Sequence, residues 1–162
     1  MNYRYTIVTL SELLAVARDG ENGFVICAEH VRSDSLRQVF MSRASRHAVA
    51  AAELRGLIGQ LGGDPAMHGR IFSASRRGWM TLPASLTQNN DEALVDECER
   101  GEDHALEVYR NALDDHLPEF VRQVVLRQFE DLMSDHDQIR VPRSDVLQGG
   151  VVAASAGGHA RQ

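Results

Sequence analysis

Four segments of the chain carry apolar side chains at alternating steps of three and four residues, the spacing that lines one face of an α-helix. In each segment the apolar ladder is interrupted by polar rungs. The first runs Leu14, Ala17, Glu21, Phe24, Ala28, Val31, and the second Leu36, Phe40, Arg43, His47, Ala50, Leu54, Leu57, Leu61. The third is Cys98, Glu102, Ala105, Tyr109, Ala112, and the fourth Val121, Val125, Gln128, Leu132, His136, Ile139. A charged group on the inner face of a bundle costs several kcal/mol unless something pairs with it. Such a chain must bring the polar rungs of different helices together or hold them on a ligand.

The stop signals between the ladders set the predicted boundaries. Thr9 or Ser11 is the expected N-cap of a first helix that runs to about Val31, and Ser33 and Asp34 supply a turn and a fresh cap for the second. Gly62-Gly63-Asp64-Pro65 ends the second helix. The stretch GRIFSASRRGWMTLPASLT then reads as a connection with a short helix broken near Pro83, long enough to cross the domain. A third helix is expected from Asp91 to about Leu113, and Pro118 near the first helical position starts a fourth that reaches Arg140 before Pro142. Beyond it the chain is rich in Gly, Ala and Ser without a helical stripe, which predicts a domain over residues 9–140 and a flexible tail over 141–162.

Composition narrows the function classes. Aromatic residues make up only 6% of the chain and hydrophobic residues 43%, which suits helices packed through Ala, Leu and Val and predicts an all-α fold. The net charge is −6 and the arginines are scattered, so nucleic acid is not an expected partner. All 17 basic residues are Arg, which removes chemistry that needs a lysine amine, Schiff bases and the P-loop included. Cys27 and Cys98 lack metal-ligand spacing and read as small buried hydrophobes. MNYRYTIVTL has no basic region followed by a long apolar run, and no segment approaches the ~20 apolar residues of a membrane span. A cytoplasmic protein with no membrane partner is expected.

The ladders also repeat. Gly20-Glu21 recurs as Gly101-Glu102, and LRQVF at 36–40 recurs as VRQVV at 121–125, with offsets of 81 and 85 residues that differ by one helical turn. Helices one and two thus look like a duplicate of three and four. Two such hairpins joined by one long crossover form a ferritin-like four-helix bundle. Di-metal carboxylate bundles of that kind place a single Glu on each of two helices and a Glu-x-x-His pair on each of the others, and Glu21 and Glu102 stand at the single-Glu positions.

The combination of DGENGF, AAELRGLIGQLGGDP, RGWM, ERGEDHALEVYRNAL and DHDQIR resembles a bacterial four-helix-bundle domain of unknown function in the ferritin-like superfamily, related in fold to rubrerythrin. The resemblance covers about residues 9 to 140 and implies the fold without an established activity. Carried over residue by residue, it implies a metal set of Glu21, Glu53, Glu102 and His136; the ladders themselves offer Glu99, His47 and Gln128 as alternatives. Glu53 follows Glu21 by 32 residues and His136 follows Glu102 by 34, but the Glu-x-x-His pairs are absent. The second helix reads Glu53-Leu54-Arg55-Gly56, and Met133 stands three residues before His136.

Two functions follow. One is an iron- or manganese-binding protein with a stress or redox role. The other is a metal-free helical interaction or structural module whose buried Glu, Arg43, His47 and Gln128 form a hydrogen-bonded network that fixes helix register. In the second, Arg43 and His47 are the groups that neutralise the glutamates. No catalytic residue is assigned in either. Gly20 and Gly101 are expected where helices one and three touch, and Trp79 is expected to plug one end of the bundle or to meet a second copy in a homodimer.

Overall fold

The computed structural model describes residues 2–66 and 90–135. Helix α1 spans Arg4–His30, α2 spans Asp34–Gln60 and α3 spans Asp91–Asp114. A fourth helix, α4, runs from residue 119 through 135, the last described position. The chain is all-α, a four-helix bundle, with no strand among the described residues. Expectations for the crossover helix, Pro83, Trp79, the continuation of α4 through His136 to Arg140, and the 141–162 tail fall outside the described residues.

Local chemistry explains each boundary. Ser33 caps α2, its hydroxyl accepting from Leu36 N–H, and Asn90 caps α3 by accepting from Ala93 N–H. Helix α2 ends in a Schellman motif: Gly63 N–H donates to Ile58 C=O and Gly62 N–H to Gly59 C=O. Gly62 adopts φ +86°, a conformation that a side chain would strain. The start of α1 differs from the sequence reading, because Thr9 and Ser11 lie inside the helix and not at its cap. Their hydroxyls are satisfied there, Ser11 donating back to Ile7 C=O and Thr9 across to Asp115.

Contacts between helix ends give the topology. Thr9, near the start of α1, meets Asp115 just past the end of α3, while Asp91, at the start of α3, accepts from the backbone N–H groups of Arg32 and Ser33 beyond the end of α1. Helices α1 and α3 are therefore adjacent and antiparallel. Arg43 pairs with Asp135 and Arg127 with Glu53, so α2 and α4 are antiparallel too. The four helices run up, down, down, up. Gly63 sits beside Ile7 at the start of α1, so residues 61–90 join opposite ends of a bundle whose 27-residue first helix is about 40 Å long. An up-down-up-down bundle is excluded by that geometry.

The two hairpins repeat each other at their turns. Arg37 donates through Nε to Ala28 C=O and through a terminal nitrogen to Val31 C=O, satisfying carbonyls that the end of α1 leaves open. Arg122, its counterpart in the Arg-Gln-Val repeat, donates to Leu113 C=O and Asp115 C=O at the end of α3. In both hairpins the first carbonyl lies nine residues before the arginine.

The core falls into two apolar clusters. The larger contains Leu10, Leu13, Leu14, Leu54, Ile58, Leu106, Val121 and Val125, and the smaller, toward the other end, contains Phe24, Cys27, Leu36, Phe40, Leu94 and Cys98. The polar rungs lie between them.

Candidate functional site

Between the apolar clusters five polar side chains are buried together. Arg43, His47, Glu102, Gln128 and Asp135 expose 3%, 8%, 1%, 6% and 2% of their surface. They come from α2, α3 and α4, and they are satisfied largely by one another.

His47 and Glu102 meet across the bundle centre, where Nε2 of His47 donates to Oε1 of Glu102 over 3.0 Å. Three features fix the imidazole. Its face stacks on Phe24 at 5.6 Å between centroids and 24° between planes, and Phe24 leans in turn on Phe40. On the Nδ1 side it packs directly on Gly20 of α1, where a Cβ would lie 2.6 Å from the ring nitrogen. Gly20 is thus a contact point at the level of the glutamates, but the helix it admits is α2, where the sequence reading placed α3.

Arg43 and Asp135 form the second pair, both almost fully buried. Arg46, half-exposed at the surface, approaches the same carboxylate at 3.6 Å and Asp131 at 4.0 Å. Burial raises the Asp135 carboxyl above its usual range; Arg43 and Arg46 oppose the shift and Glu102 adds to it. Arg43 is thus the ion-pair partner of Asp135. Asp135 was missed in the sequence although its signal was there: it completes the steps Val121, Val125, Gln128, Leu132 with a further three residues, a rung assigned to His136 instead.

Tyr109 on α3 donates its hydroxyl to Gln128 Oε1 over 2.7 Å, and Gln128 Nε2 reaches Ala50 C=O and Glu53 Oε1, both at 3.4 Å. Burial, with Glu102 and Glu53 nearby, pushes the Tyr109 phenol well up and holds it as a neutral donor. Glu53 pairs mainly with Arg127 at the rim. Above these groups a cleft of about 400 Å³ opens between α2 and α4, lined by His47, Val49, Glu53, Tyr109, Gln128 and Asp135 among others.

The sequence-predicted residues thus separate. Glu102, His47 and Gln128 lie in the network, Glu53 at its rim, and Glu21 and Glu99 are half-buried on the flanks of their helices. His136 falls outside the described residues. Among the described residues no three His, Cys, Asp or Glu side chains gather as a set able to hold a metal ion. The repeat explains the asymmetry between Glu21 and Glu102: the equivalent of His47 in the second hairpin is Leu132, which offers Glu21 no partner. Glu102 Oε2 has no hydrogen-bond partner among the described residues, whereas Asp135 Oδ1, also without one by geometry, faces Arg43 and Arg46 as an ion pair.

No described helix is long and apolar enough to cross a membrane. Comparison with curated proteins finds no match. Matching over residues 5–115, more than half its length, the chain belongs to the family described as Domain of unknown function (DUF2383).

Proposed function

We propose that the chain is a metal-free helical interaction or structural module, in which a buried ionic and hydrogen-bonded network fixes the register of the four helices. The observation that carries this reading is the pairing of Glu102 with His47 across the bundle centre. It gives a protein partner to the carboxylate that would otherwise need a cation. Arg43 with Asp135 and Tyr109 with Gln128 extend the same logic to α4. A side chain that has one buried partner in one position favours that alignment over a slip by a helical turn.

Iron or manganese binding is the second reading, and one observation favours it: the unpaired Glu102 Oε2 in a buried setting. Glu21, Glu53, Glu102 and His136 are the ligands it would use, in a stress or redox role. Melting of the chelator-treated full chain, with and without Fe(II) or Mn(II), separates the two. A metal bound only to the folded state at a hundredfold excess over Kd adds about 2.7 kcal/mol and raises Tm by several degrees. The metal-free reading expects no such rise, and expects Arg43→Ala to cost about 3–5 kcal/mol by stranding Asp135. A specific rise abolished by Glu102→Ala, with Arg43→Ala near wild type, reverses the order of the two readings.

A further inference from the structure

Cys27 on α1 and Cys98 on α3 take no part in the polar network. Both are fully buried in the smaller apolar cluster. The register of the two helices places them together. The ties from Thr9 to Asp115 and from Arg32 and Ser33 to Asp91 set an antiparallel alignment in which Gly23 stands opposite Gly101 and Cys27 opposite Cys98. Glycines facing each other allow two helix backbones to approach closely. Close approach one turn away is what a disulfide needs, because the bridge spans only about 4.4–6.8 Å between Cα atoms.

We propose that Cys27 and Cys98 are a redox pair that closes to a reversible disulfide between α1 and α3 under hydrogen peroxide. Peroxide is small and uncharged, so it can enter an apolar interior that excludes charged or bulky reagents. One sulfur attacks a peroxide oxygen, the O–O bond breaks and water leaves, giving a sulfenic acid. The second sulfur attacks the first, the S–O bond breaks and a second water leaves. The two thiols lose two electrons and two protons in all, and the peroxide takes them up. Burial raises the Cys98 thiol, with Cys27 and then Glu102 and Glu97 adding to the effect, so the first step is slow and the pair stays reduced until the oxidant persists. The closed bridge ties α1 to α3 across the long intervening chain and restricts the unfolded state, which raises Tm.

The full chain, treated with hydrogen peroxide, quenched with catalase, then unfolded and alkylated with iodoacetamide, reports the outcome by mass spectrometry. Untreated protein takes two alkyl groups. Oxidised protein is expected as a monomer that takes none, yields a Cys27–Cys98 cross-linked peptide on non-reducing digestion, and recovers both alkylation sites after dithiothreitol. Cys98→Ala removes the cross-link, and the wild-type result stands even where that variant folds poorly. A monomer that still takes two alkyl groups after prolonged peroxide, sulfinic acid at either cysteine without a cross-link, or disulfide-linked dimers would each overturn the proposal.

Discussion

His47 is held on three sides, and one of them is a residue that has no side chain. Ala at position 20 would gain about 1 kcal/mol of helix propensity, but its Cβ would sit 2.6 Å from His47 Nδ1. The ring cannot yield without leaving Phe24 or Glu102. Overpacking of that kind costs about 1–3 kcal/mol, so net of the propensity gain Gly20→Ala is expected to lower stability by about 1 kcal/mol in urea unfolding; an increase would contradict the packing described. Asp135 gives a second test, with its sign set by its raised pKa. A carboxyl that binds its proton more tightly in the folded state adds stability fully below the unfolded value, about 3.9, and loses it as pH rises through the folded value. Wild type should therefore gain on Asp135→Asn between neutral pH and about pH 4. A difference that is flat with pH would show an ordinary surface carboxylate, and one of opposite sign would show that the arginines outweigh burial. At this scale the ladders made His47, Glu102 and Gln128 legible. Asp135 was not, because steps of three and four both continue a helical stripe and only packing chooses between adjacent rungs.

Arg37 and Arg122 stand at equivalent places in the two hairpins and close the same kind of gap, the open carbonyls at the end of the preceding helix. Hydrogen bonds from a charged donor are worth about 1.5–3 kcal/mol each, and partial exposure and replacement by water reduce that. Arg37→Ala and Arg122→Ala are each expected to cost about 1–2 kcal/mol, whereas Arg55→Ala, at an exposed position, should stay within about 0.5 kcal/mol. Chemical denaturation of the three variants checks this, and equal small effects would reduce the paired arginines to surface decoration. The repeat was visible as LRQVF and VRQVV. Its job was not, since the carbonyl targets are set by the angle at which each hairpin turns. The caps at Ser33 and the Gly62-Gly63 stop were readable because local geometry decides them. The start of α1 was not, because Thr9 and Ser11 look like caps in sequence and find their partners only in the folded helix.

The helices run up, down, down, up, and the polar network ties together α2, α3 and α4 between two apolar clusters. The bundle class and opposite-end connection were legible from four ladders and one duplication, since period and repeat length survive without tertiary knowledge. Whether the central glutamates pair with protein or with a cation was not legible, because that choice depends on which helices face diagonally. In the structure His47 reaches Glu102 along that diagonal, and the proposed module relies on this pairing in place of an ion. A double-mutant cycle on His47→Leu and Glu102→Leu, measured by equilibrium unfolding of the chelator-treated chain, tests it most directly. Each single change strands a buried partner and should cost about 3 kcal/mol or more. The double variant removes both groups and should recover at least about 2 kcal/mol of the summed loss as coupling. Single effects that simply add, with coupling under about 0.5 kcal/mol, would contradict the account.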